Sequence, residues 1–210
     1  MSDIRAVIFD VGGVLTASPV AGIRAWAESS GVDYAVLGPM LAAPDGAWSR
    51  FEKSDLTPEA FAAVFQEECA AGGLSGMDIP AFLASFSNLP MREEMIAVVR
   101  HLKGRLPLGC ITNNVHRDGM RPSALYALFD HVIESAKAGM RKPDPRIYRL
   151  ACDALGVTPP EAAFLDDFGV NLKGARALGM TTIKVDHTIS AIEELEAALG
   201  IPLPRPEPRP

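Results

Sequence analysis

The sequence predicts an α/β fold, a doubly wound parallel sheet that carries a small helical insertion. Three observations lead there. A four-residue apolar run, Ala6 to Phe9, lies near the start and stops on a carboxylate, Asp10. Residues 16 to 88 then show helix-like segments broken by Gly and Pro, with no strong strand among them. From Pro90 onward short apolar strands alternate with helices, the pattern of right-handed crossovers in a sheet covered on both faces.

Taken in order, the run at 6–9 has the length and continuity of a strand buried on both faces, which sets Asp10 at a strand's carboxyl end. Gly12 and Gly13 let the backbone turn at once and offer its amides and carbonyls to a small ligand. Helices are expected within the insertion near 21–29 and 58–71. Residues 16–88 hold three basic side chains, Arg24, Arg50 and Lys53, against nine acidic ones, so this segment carries the whole net charge of −6. Charge and periodicity both mark it as a helical cap on a core made of 1–15 and 89–200. In that core, helices are expected at 91–103, 122–129, 145–155, 170–178 and 190–199. The strands fall between them at 106–111, 131–133, 162–165 and 181–185. The proline-rich tail, 201–210, has Pro at every second position and reads as extended and poorly ordered.

A chain of 210 residues is long enough to bury a proper core. Its net charge of −6 argues against nucleic acid and anionic membrane surfaces, which call for a basic patch, and favours small-molecule partners. Cys69, Cys110 and Cys152 are odd in number and widely spaced, so they suit buried thiols in a reducing compartment better than a disulfide framework. No basic start and long apolar centre opens the chain, and no run of eighteen apolar residues occurs. The expected location is cytoplasmic.

Ligands of an open parallel sheet bind outside the carboxyl ends of its strands. There the sequence sets Asp10, then Thr112-Asn113-Asn114, then Arg141-Lys142-Pro143-Asp144-Pro145, then Asp166-Asp167. This is a nucleophile, a hydroxyl and amide set, a cation and a carboxylate pair on one rim. The set suits phosphoryl transfer through an aspartyl-phosphate, because a carboxylate attacks phosphorus only when both charges are neutralised. Asp10 with Asp167 suits Mg2+, and Lys142 with Thr112 suits the phosphoryl oxygens. Plainer readings stay open, since Thr112-Asn113-Asn114 also reads as a helix cap and Lys142 as a solvated loop lysine.

In order and spacing these stretches resemble the four motifs of the haloacid dehalogenase superfamily of hydrolases, most of them Mg2+-dependent phosphatases. The matching segments are Phe9-Asp10-Val11-Gly12-Gly13-Val14-Leu15, Ile111-Thr112-Asn113, Lys142-Pro143-Asp144-Pro145 and Phe164-Leu165-Asp166-Asp167-Phe168-Gly169-Val170-Asn171. Residues 111–179 are especially similar to the phosphatase-like amino-terminal domain of soluble epoxide hydrolases. The resemblance implies a Rossmann-like core and a mobile cap, with Asp10 as nucleophile and metal ligand. It implies a backbone carbonyl from Gly12 and the carboxylate of Asp167 on the metal, with Asp166 and Asn171 orienting the metal and its waters. Thr112 and Asn113 would contact the phosphoryl group and Lys142 would steady its charge. The implied substrate is a small phosphorylated metabolite.

One position departs from the family. Most of its phosphatases carry a second aspartate two residues after the nucleophile, as general acid and base, where this chain has Gly12. A contribution of about 10²–10⁴-fold is then missing unless another group supplies it. An aspartate there also requires a turn without positive φ. Two alternatives therefore stand beside the phosphatase, a metal-independent 2-haloacid dehalogenase and a catalytically weakened sensor of phosphorylated ligands. His116 is a candidate proton relay near the rim. Trp26, Trp48, Phe51, Phe61 and Phe65 read as the cap's own core.

Overall fold

The computed structural model describes residues 3–115 and 123–205. Five parallel strands, β1 (Ala6–Phe9), β2 (Leu108–Thr112), β3 (His131–Glu134), β4 (Ala162–Asp166) and β5 (Thr181–Lys184), form one sheet in the order β3-β2-β1-β4-β5. The chain runs outward from β1 to β3, then returns to the other side of β1. Such a reversal opens a crevice at the carboxyl ends of β1 and β4. The pairing Phe9↔Leu165 ends β1, and the Asp10 N–H donates to Leu165 O at 2.9 Å, so Asp10 comes to lie beside the end of β4.

Alternation along the strands divides the core in two. Val7, Phe9, Leu108, Cys110, Ala163 and Leu165 face the helices α6 (Glu93–Leu102) and α11 (Thr188–Leu199), while Ala6, Ile8, Ile111 and Phe164 face α9 (Pro145–Leu155) and α10 (Gly169–Arg176). Helix α9 buries Ile147, Tyr148, Ala151, Cys152 and Leu155, one continuous stripe. Asp144 begins it by accepting the Arg146 N–H, with Pro145 at the first helical position, and Gly156 ends it at φ 68°.

Residues 16–88 hold α1 (Pro19–Ser29), α2 (Tyr34–Ala42), α3 (Ala47–Glu52), α4 (Pro58–Ala71) and α5 (Ile79–Ala84). The sequence pattern showed only α1 and α4. Helices α3 and α5 are six residues each, too short to display a period, and α2 contains Pro39. Side-chain caps reveal two of the missed starts, since Asp33 accepts from Ala35 N and Asp78 from Ala81 N. The five helices share a separate apolar cluster. Phe51 stacks on Phe61 with centroids 4.2 Å apart and Phe61 on Phe65 at 5.1 Å. These three are buried as expected, whereas Trp26 and Trp48 are only partly buried against the cluster.

The two chain crossings between helices and sheet run side by side. Thr16 bridges Met91, the Ala17 N–H donates to Pro90 O and the Arg92 N–H to Leu15 O, each at 2.8 Å. Between β3 and α9 lies one turn of helix, α8 (Ser135–Ala138); another short helix, α7 (Ser123–Tyr126), precedes β3. The first residues of the tail are packed rather than loose. Leu203 is buried in the sheet's core, its N–H donates to Glu196 Oε2, and Arg205 pairs with Glu193 and Glu196. All three cysteines are buried and free. Among the described residues no helix is long and apolar enough to cross a membrane.

Candidate active site

Lys142 organises the rim. Its ammonium group, 1% exposed, sits 2.7 Å from Asp10 Oδ1 and 2.7 Å from Asp166 Oδ2. A lysine so deeply buried would ordinarily lose its proton to desolvation, but the two carboxylates more than offset burial and hold its pKa above the usual range. The solvated-loop reading of Lys142 is therefore excluded by burial. Asn113 fixes its backbone, the side-chain amide donating to Lys142 O at 3.0 Å while its Oδ1 accepts the Lys142 N–H at 2.8 Å. Both ends of that amide are thus committed to the loop.

Asp166 is buried and its oxygens are fully engaged. Oδ1 accepts the Phe168 N–H at 2.7 Å, Asn171 Nδ2 reaches both oxygens at 3.1 Å, and Oδ2 meets Lys142. Asn171 is held in turn by Tyr148, whose hydroxyl donates to its carbonyl at 2.8 Å. Asp166 thus links Asn171 to Lys142.

Asp167 points elsewhere. Ser18 Oγ donates to its Oδ2 at 3.2 Å, but its Oδ1 is buried with no hydrogen-bond partner among the described residues. One carboxylate oxygen from each of Asp10, Asp166 and Asp167 falls within a span of 4.8 Å. Burial is the main force raising Asp10 to about 7, against the pull of Lys142. Burial and then Asp166 raise Asp167 to about 6, against the Ser18 hydroxyl. Such a cluster, with one buried oxygen unpaired, suits a hard divalent cation that takes carboxylates, carbonyls and waters. Gly13 makes the close approach possible. It has φ 78°, and a β-carbon there would fall 2.1 Å from Asp167 Oδ2.

A cavity of about 290 Å³ lies between the sheet's rim and the helical insertion, and Asp10, Lys142, Asp166 and Asp167 are not among the residues that line it. Gly12, Thr112 and Asn113 line it from the sheet side, and Trp48, Glu52 and Phe86 from the helices. Thr112 ends β2 and is largely buried. Gly12 faces the cavity with its flank closed by Pro19. Sequence reasoning missed Glu52, Ser18 and Pro19, because each comes from the insertion, where no motif marks it. His116 lies outside the described residues.

Residues 4–179 match the model of a family described as haloacid dehalogenase-like hydrolase. The chain is 36% identical over 211 residues to acyl-CoA dehydrogenase family member 10 of Mus musculus, covering 95% of this chain and 19% of that protein. It is 34% identical over 224 residues to mouse bifunctional epoxide hydrolase 2, covering 96% and 40%. The chain thus spans less than half the length of both relatives. A sesquiterpene phosphatase of Aspergillus oryzae is 28% identical over 202 residues and is covered at 97%, as is 93% of this chain. Two solved structures share the fold. A predicted hydrolase of this family from Porphyromonas gingivalis has TM-score 0.71 at 22% identity, covering 94% of this chain and 98% of its own. A Bacteroides thetaiotaomicron family enzyme, complexed with magnesium and inorganic phosphate, has TM-score 0.60 at 19% identity, covering 86% and 93%.

Proposed function

The chain belongs to the haloacid dehalogenase-like hydrolase family, and from that premise we propose that it is a Mg2+-dependent phosphatase of small phosphorylated metabolites with Asp10 as its nucleophile. The observation that carries this reading is the unpaired, buried Asp167 Oδ1 beside Asp10, a carboxylate pair that needs a cation. The sesquiterpene phosphatase and the magnesium and phosphate complex among its likenesses support it.

Asp10, Asp167 and the Gly12 carbonyl would hold the ion, whose positive charge offsets that of the phosphoryl oxygens when it is bound. A carboxylate oxygen of Asp10 attacks phosphorus, the bond from phosphorus to the leaving oxygen breaks, and that oxygen takes up a proton. Water then attacks the aspartyl-phosphate, its phosphorus–oxygen bond breaks, and Asp10 returns to a carboxylate as inorganic phosphate leaves. Lys142 stays charged through both steps and stabilises charge on Asp10 and the phosphoryl group, while the Thr112 hydroxyl faces the transferring oxygens. Asp166, Asn171 and Asn113 keep Lys142 in place.

The dehalogenase alternative fits less well. A 2-haloacid is displaced without a cation, yet Asp10, Asp166 and Asp167 converge around a buried Asp167 Oδ1 that has no hydrogen-bond partner among the described residues. The deciding experiment is a screen of phosphorylated metabolites with and without Mg2+, with a 2-haloacid as control. Phosphate release that stops in excess chelator is expected; halide release that persists in chelator would replace this reading with the dehalogenase one.

A further inference from the structure

Departure of an alkoxide requires a proton, and no acid stands at position 12 to give it. We propose that Glu52, from the helical insertion, is the general acid that protonates the leaving oxygen and the general base that then draws a proton from the hydrolytic water. The inference rests on the phosphatase reading above and deepens it.

Position is the first argument. In an in-line displacement the leaving oxygen lies opposite the attacking carboxylate, so it faces away from Asp10. The cavity is lined by Gly12 and Thr112, which share the rim with Asp10, and Glu52 is the one carboxyl among the described residues that line it. The other acids of the site are committed. Asp166 spends both oxygens on Lys142, Asn171 and the Phe168 N–H, while Asp10 and Asp167 serve attack and cation.

The setting of Glu52 is the second argument. It closes α3 and is 6% exposed, yet it is not adrift on the insertion. Ser135 Oγ bonds its carbonyl at 2.7 Å, and the same hydroxyl accepts the Asn114 N–H at 2.8 Å. This ties the end of α3 to the loop that follows Thr112 and carries Asn113 and Asn114. Glu52 Oε2 lies 3.0 Å from Arg141 Nε, but neither atom makes an aligned hydrogen bond. Burial raises the carboxyl's pKa, while Arg141, a hydrogen bond from the Trp48 side chain and the charge of Lys142 pull the other way. A carboxyl so placed can hold a proton, and Arg141 steadies the charge left once it is given.

The steps balance. As the bond from phosphorus to the leaving oxygen breaks, the Glu52 proton passes to that oxygen and an alcohol departs. Glu52, now a carboxylate, takes a proton from the water that attacks phospho-Asp10 and returns to its starting state.

The experiment compares kcat/KM for p-nitrophenyl phosphate, whose phenolate leaves unaided, and 2-phenylethyl phosphate, whose alkoxide does not, with Mg2+ present. This ratio ends at leaving-group departure, so the later water step does not enter it. Glu52→Gln is expected to lower the alkyl ester about 10²–10⁴-fold and the aryl ester less than about threefold. Equal losses on both esters, or no loss on either, would overturn the role, since a merely structural part moves both alike. If Glu52→Gln does not fold, Glu52→Asp decides. An alkyl loss about tenfold or more beyond the aryl loss supports the role, and equal losses overturn it. Wild-type protein that hydrolyses neither ester would instead overturn the phosphatase reading, and the role of Glu52 with it.

Discussion

The ring of Pro19 occupies the place where a β-carbon on Gly12 would stand, with Cγ 2.8 Å and Cδ 3.0 Å from that point. The obstacle to an acid at this position is therefore steric. Left-handed backbone in the turn falls on Gly13, at φ 78°, and not on Gly12. Gly12→Asp alone should destabilise the protein by about 1–3 kcal/mol through overpacking, and Pro19→Ala in the same chain should recover part of that loss. Urea unfolding of the two single variants and the double variant measures the coupling. Strictly additive losses would mean that Pro19 is not the obstacle.

Asp10 and Asp166 share one lysine, so removing Asp10 and removing Lys142 have unlike effects. Asp10→Asn leaves Lys142 paired with Asp166. It should keep the fold and abolish turnover, and only the wild type should yield a phosphorylated Asp10 on rapid quench. Lys142→Met leaves two buried carboxylates without a counter-charge and should cost about 3–5 kcal/mol as well as activity. Retention of most phosphatase activity by Asp10→Asn would end the covalent mechanism.

Magnesium should stabilise the folded chain through Asp167. Free Mg2+ at about 100 times its dissociation constant adds about 2.7 kcal/mol to a protein that binds it only when folded. The rise in Tm on adding Mg2+ should disappear in Asp167→Asn, whose amide is a poor ligand for a hard ion, and should persist in the exposed-site variant Glu161→Gln. An undiminished rise in Asp167→Asn would move the metal elsewhere.

Glu161 offers a pH test away from the site. Its carboxylate accepts the Thr158 N–H and hydroxyl and pairs with Arg5, which holds its pKa down at about 2 from an ordinary 4.5. A depressed carboxyl stabilises the fold above its unfolded pKa, and that contribution is lost as pH falls toward the folded one. The difference in Tm between wild type and Glu161→Gln should be constant from neutral pH to about 5 and shrink between about 4.5 and 2. A difference that grows on acidification would reverse the assignment.

Much of this protein was legible without coordinates. Strand β1 could be read because a strand buried on both faces is apolar at every position, and α4 and α9 because each opens with a side-chain cap followed by proline. Asp10, Lys142, Asp166 and Asp167 could be found because each closes or follows a strand, or the loop after one, where a parallel sheet collects its ligands. The short α3 and α5 escaped, being under two turns long, and the packing of Leu203 was hidden by prolines that read as loose chain.

Roles within the site were decided by the tertiary structure. The two adjacent aspartates look alike in sequence, yet one is saturated by Lys142, Asn171 and a backbone N–H while the other keeps a buried oxygen with no hydrogen-bond partner among the described residues. Asn113 could be listed as a contact for phosphate, and the structure adds that its side-chain amide also pairs with the backbone of Lys142. Pro19 opens the insertion's first helix, and Glu52 lies far along the chain from the Ser135 and Arg141 it meets. A motif records which groups a strand end carries, whereas hydrogen-bond partners, burial and the walls of a cavity arise from segments distant in sequence, and only their packing shows which lone pairs are left free for chemistry.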